Sequence, residues 1–116
     1  MRVSVSDLDG NTKKVTLVGK LDIKGAEVID LPLATAAGSR ANIIVDMTGV
    51  EFIASIGIRH LVMAAKAVAR GAGKLVLLGP APMVTEVLVA SGLEDLLPTV
   101  QSEDEARAVF AGADSV

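Results

Sequence analysis

Residues 43–61 read IIVDMTGVEFIASIGIRHL, and the spacing of apolar side chains changes period inside that stretch. Asn42 to Met47 is a near-continuous apolar run, β-branched and bounded by polar residues, which predicts a strand buried on both faces of a parallel sheet. Val50 to Ile53 reads as an apolar strand end. From Ile58 the period lengthens: Ile58, Leu61, Val62, Ala65, Val68 and Ala69 fall on one face of a helix. Its other face carries Arg59, Met63, Lys66 and Arg70, and Gly71 with Gly73 is expected to stop it. Between strand and helix stands one hydroxyl, Ser55, followed by Ile56 and Gly57. As an N-cap, that serine would contribute about 1 kcal/mol by accepting from a first-turn N–H. Its other reading is functional.

The same alternation extends in both directions. Arg2 to Ser6 alternates apolar and polar, Asp9-Gly10-Asn11 signals a turn, and Lys13 to Gly19 predicts a second strand, so the chain opens on a hairpin. DIKGAEVIDLPLATAAGSRA is rich in helix formers but holds Pro32, which predicts a kinked or split helix. Lys74 to Leu78 is another buried strand. Pro80 and Pro82 mark a helix start, and Gly92 with Leu93 marks its end near Ser91. A short strand near Pro98 to Val100 precedes Ser102-Glu103-Asp104-Glu105, a capping box for a last helix. The order ββαβαβα(β)α predicts an α/β fold, a largely parallel or mixed sheet with packed helices. Residues 1–112 form one domain on this reading, and residues 113–116, at the end of GADSV, are expected to fray.

Composition narrows the function. A chain of 116 residues holds one core, and 51% hydrophobic content with mean hydropathy +0.54 makes that core substantial. Without cysteine there is no disulfide or thiolate metal site, which suits a reducing cytoplasm. The longest apolar runs fall far short of the roughly 20 residues that cross a bilayer, so a soluble domain without membrane insertion is expected. Net charge −3, two Phe and no Tyr or Trp argue against nucleic-acid binding, which needs a basic stripe or stacking platforms.

Chemistry of the chain's own has little support. His60 is the single histidine, and no HExxH, CxxC or carboxylate cluster offers a metal site. GAGK at 71–74 lacks phosphate-loop spacing and leads into a strand. A Ser55–His60 pair would lack an orienting group and an oxyanion site. No enzyme activity, catalytic residue, cofactor, metal or small-molecule substrate is expected.

Three patches together resemble the STAS domain, the fold of bacterial anti-sigma factor antagonists. LVGKLDIKGA (17–26) resembles the family's LxGxLD before a helix. Residues 43–61 resemble a strand ending in DLSGV and then F-hydrophobic-x-S-x-G-hydrophobic. GAGKLVLLGPAPMVTEVLVASGL (71–93) resembles its glycine–strand–proline–helix–GL block. The resemblance implies a mixed β-sheet of four to five strands with about four helices, largely on one side.

It also implies a partner-switching function. In regulatory members a GHKL-type serine kinase, itself the anti-sigma factor, phosphorylates the serine that Ser55 matches. The unphosphorylated antagonist binds that kinase and frees the sigma factor; phosphorylation blocks binding and a phosphatase restores it. Asp22 matches a family acid near the serine, expected to supply a like charge or to position the hydroxyl. Ala54, Ile56 and Gly57 complete the surroundings of the phosphoacceptor, and Arg59, Met63 and Lys66 are the expected partner-binding face. Regulatory members often read D-S-[ST]-G, whereas this chain reads Ala54-Ser55-Ile56-Gly57. The alternative function within the same fold is a non-switched scaffold subunit of a lipid transporter or stress-signalling complex.

Overall fold

A computed structural model describes residues 1–112. The elements run β1 (Arg2–Asp9), β2 (Thr12–Leu21), α1 (Ile23–Ala37), β3 (Asn42–Ile53), α2 (Ser55–Arg70), β4 (Leu75–Leu78), α3 (Pro82–Ala90), β5 (Thr99–Val100) and α4 (Glu103–Gly112). The sheet order is β1-β2-β3-β4-β5, antiparallel between β1 and β2 and parallel thereafter. The mixed five-stranded sheet and four helices match the expected α/β class. The tail at 113–116 lies outside the described residues.

Strand alternation assigns the two faces. Val15 and Leu17 of β2, Ile43, Val45 and Met47 of β3, and Leu75 and Leu77 of β4 all point to one side. There they meet Ile29 and Leu33 of α1, Leu61 and Val68 of α2, and Val84 and Leu88 of α3. On the other side Ile44, Val76, Leu78 and Val100 meet Ala106 of α4. Three helices therefore share one face, and α4 alone covers part of the other.

Several boundaries differ from the sequence expectation. The hairpin strands extend beyond Ser6 and Gly19, with a register shift between Asp7 and Asp9. Strand β3 continues to Ile53, because its pairing with β2 resumes after each of two register shifts and runs out to Ile53 opposite Leu21. Pro32 does not split α1, a single helix from Ile23 to Ala37. Proline removes one donor from Val28, and since Val28 is exposed, water can take the missing place. Helix α2 starts at Ser55, and Ala64 is buried in it while Ala69 is exposed. The left-handed residue after α2 is Ala72 (φ 67°), not Gly71, whose φ is −87°. Gly73 serves close packing instead: a Cβ there would lie 2.9 Å from the Ala41 carbonyl oxygen. Strand β4 starts at Leu75, one residue later than expected.

The end of α3 follows its expected form. Gly92 takes φ 70°, its N–H donates to Val89 O at 3.0 Å, and Leu93 N–H folds back to Leu88 O at 2.9 Å. At α4, Ser102 Oγ accepts from Glu105 N–H at 3.1 Å. Glu105 Oε2 reaches back to Gln101 N–H at 2.8 Å, one residue earlier than the usual capping box.

Candidate functional site

Two strand-to-helix turns of one residue each lie side by side. Strand β2 ends at Leu21, Asp22 caps, and α1 begins at Ile23; strand β3 ends at Ile53, Ala54 caps, and α2 begins at Ser55. Leu21 and Ile53 are register partners, and Ala54 N–H donates to Leu21 O at 2.9 Å, which locks the turns together. Both lie at the carboxyl ends of parallel strands, where open α/β sheets present their ligand-binding crevices.

The equivalent positions carry opposite solutions. Asp22 Oδ1 accepts from Gly25 N–H at 2.8 Å and so caps α1. Ala54 has no side chain to cap α2, and the first-turn bonds run from Gly57 and Ile58 N–H to Ala54 O at 2.9 and 3.2 Å. The cap reading of Ser55 is thus corrected: Ser55 is the first helical residue, exposed, and its hydroxyl forms no hydrogen bond among the described residues. Ile56 is half-buried and Gly57 is buried. A Cβ on Gly57 would stand 2.5 Å from Leu21 Cγ, so the missing side chain lets α2 sit against the end of β2.

Asp22 and Ala54 line one shallow, open depression together with Ile23 and Lys24. Asp22 makes no hydrogen bond to Ser55; its bonded oxygen serves the α1 cap. His60 does not join Ser55 either, because its Nδ1 faces Asp30 Oδ1 across the α1–α2 contact at 3.4 Å. Arg59, Met63 and Lys66 are all exposed. They follow Ser55 at steps of four, four and three residues, one stripe along α2.

Sequence reading missed Ile23 and Lys24 in the depression; it placed Arg70 on the same face of α2 as Arg59, Met63 and Lys66 but left it out of the expected partner-binding set. The signal was present: an apolar strand end, one residue, then a helix occurs twice, and parallel pairing brings two such turns together.

The perturbed ionisable groups lie elsewhere. The bond to Glu103 holds the Lys14 ammonium above its ordinary range, helped by Asp46. Arg107 holds the Asp9 carboxyl below the usual carboxylate value. Among the described residues no group of three or more His, Asp or Glu side chains is placed to hold a metal. No helix there is long and apolar enough to cross a membrane.

Known proteins share this fold. BtrV of Bordetella bronchiseptica, assigned by its name as an anti-sigma factor antagonist, is 30% identical over 115 residues, covering 97% of each chain. The anti-sigma factor antagonist SpoIIAA in its unphosphorylated form superposes with a TM-score of 0.78 at 26% identity, over 96% of this chain and 97% of that one. The Bacillus cell fate determinant SpoIIAA in its phosphorylated form shares the fold, with a TM-score of 0.73 at 24% identity over 93% and 99% of the chains. The STAS domain pattern itself spans residues 5–106, so this chain belongs to the STAS domain family.

Proposed function

We propose that this protein is an anti-sigma factor antagonist of the cytoplasm, a binding protein switched by phosphorylation of Ser55. Unphosphorylated, it binds an anti-sigma factor that is also a GHKL-type serine kinase; a phosphatase reverses the modification. The observation that carries this reading is Ser55 itself: exposed, first in α2, and without a hydrogen bond to occupy its hydroxyl. By the resemblance read in the sequence it matches the serine phosphorylated in regulatory members, and SpoIIAA, a relative of the same fold, exists in phosphorylated and unphosphorylated forms.

The electrostatics support a switch. A phosphate adds roughly 1.5 to 2 negative charges and resists burial in a packed interface. At an effective dielectric near 20, a unit like-charge pair about 5 Å apart costs on the order of 3 kcal/mol, about a hundredfold in affinity. Asp22, beside Ala54 in the neighbouring turn, adds negative charge to the same surface in the free and the bound protein alike, so the penalty on binding comes from whatever the partner places against the phosphate. An exposed serine at a helix start tolerates the added charge, because the first-turn N–H groups and the helix dipole favour anions. The domain need not unfold.

Mass spectrometry after incubation with a purified GHKL kinase partner and ATP tests the assignment. Phosphate on Ser55, absent from Ser55→Ala, is expected. Equal labelling of both chains, or of neither, refutes it.

A further inference from the structure

The depression beside Ser55 holds a cation with no partner. Lys24 lines it together with Asp22, Ile23 and Ala54, and its ammonium forms no ion pair or hydrogen bond among the described residues. Glu27, one turn further along α1, does not pair with it, and Asp22 Oδ1 is taken by Gly25 N–H. The placement also runs against local preference. Lys24 is the second residue of α1 and its only cation, in a first turn that carries no acid. A helix dipole disfavours positive charge there. A residue that breaks a local rule without a structural return is expected at functional sites.

The paired turns put Lys24 near Ser55. Leu21 and Ile53 are register partners, so the two strand ends stand about 4.8 Å apart. Lys24 follows three residues after the first end, and Ser55 follows two residues after the second. Helical side chains lean toward the N-terminus of their own helix, so both project over the turns. A flexible four-carbon stem lets the ammonium sweep the open depression, which the short side chain of Ala54 does not fill. On the α2 side Ala54 supplies no capping oxygen, and the N–H groups of Ser55 and Ile56 have no partner among the described residues.

We propose that Lys24 is the counter-charge for phosphate on Ser55, closing an ion pair across the two turns in the phosphorylated protein. The inference rests on the phosphorylation reading and names the residue that holds the modified state. Phosphate oxygens accept charge-assisted bonds from the ammonium, and the cation offsets the repulsion between the new dianion and Asp22. Arg59 is the competing donor, since it lies four residues after Ser55 on the same helix.

Phosphoserine installed genetically at position 55 of the full chain makes the test independent of any kinase. Phosphorus NMR then follows its second ionisation. The Lys24 cation favours the dianion and lowers that pKa, so Lys24→Gln is expected to raise it by about half a pH unit. The difference should shrink in about 1 M salt, which screens an exposed pair. In the unphosphorylated chain Lys24→Gln should leave the thermal midpoint unchanged or higher, because it removes a cation from the first turn of α1. Identical titrations of the native chain and Lys24→Gln overturn the proposal. So does a shift produced by Arg59→Gln but not by Lys24→Gln, or a lower midpoint of the unphosphorylated variant, which would give Lys24 a structural task. Kinase labelling of Ser55 in the native chain is scored apart: its absence refutes the switch, whereas identical titrations refute only the role of Lys24.

Discussion

At Gly57 the candidate switch touches the core. Replacing glycine by alanine in an exposed helix ordinarily stabilises by up to about 1 kcal/mol. Here the new Cβ would stand 2.5 Å from Leu21 Cγ and 3.1 Å from the Leu21 carbonyl oxygen, and Leu21 is fully buried. Gly57→Ala is therefore expected to destabilise by about 1–3 kcal/mol, because an overpacked core answers with strain. Urea unfolding measures it, and an unchanged or higher midpoint contradicts the packing. Asp22 separates differently. Asp22→Ala should cost about 1 kcal/mol through loss of the α1 cap, whereas Asp22→Asn should retain that stability because asparagine caps as well. Since only charge distinguishes the asparagine variant, its affinity for the kinase partner, before and after Ser55 phosphorylation, isolates any electrostatic part Asp22 plays.

Helix α4 shows how an element is held when little core lies beneath it. Its first residue, Glu103, bonds Lys14 of β2 at 2.8 Å, and Asp46 of β3 lies 3.6 Å from the same ammonium. Glu103 is 42% exposed, so the pair contributes no more than about 1 kcal/mol. The sign of its pH dependence follows from Lys14. Its folded value is raised above the unfolded 10.5, so the contribution is complete below that value and is lost as pH rises through the folded value. Thermal midpoints followed by circular dichroism should therefore separate the native protein from Lys14→Met at neutral pH and converge above about pH 10.5. A constant difference across that range contradicts the pairing. Helix α1 carries the opposite lesson. Pro32 looked like a break, yet the helix is held by Ile29, Leu33, Ala36 and Ala37 against the sheet, and packing outweighs one lost hydrogen bond.

Across the whole molecule the two sheet faces are unequal. The α1–α3 side joins every helix but α4 in one cluster with β2, β3 and β4, while the α4 side holds five buried residues. Stability to local opening should follow that difference. Native-state hydrogen exchange is expected to be slowest in β2, β3 and β4, and faster in α4 and in the edge strand β1. Protection of α4 equal to that of β3 would show that the smaller cluster unfolds only with the larger one.

Much of this was legible in the chain. A period-two or continuous apolar run against a 3.6-residue stripe distinguishes strand from helix by local geometry alone, so the order ββαβαβαβα, the α3 stop at Gly92 and the α4 cap at Ser102 followed from neighbouring residues. The stripe of Arg59, Met63 and Lys66 was also local, because helix periodicity alone puts these residues on one face. What the sequence by itself determined was the set of elements and the presence of a hydroxyl between a strand and a helix. Tertiary structure decided the rest. Pairing with β2 carried β3 to Ile53, and packing carried α1 through Pro32. The register of Leu21 with Ile53 set two one-residue turns together and brought Asp22 beside Ala54. Ser55 was thereby freed from capping, since Ala54 takes the cap position and Leu21 O holds the Ala54 N–H. These outcomes depend on contacts between residues about thirty positions apart, and no local pattern encodes which strand ends will become neighbours.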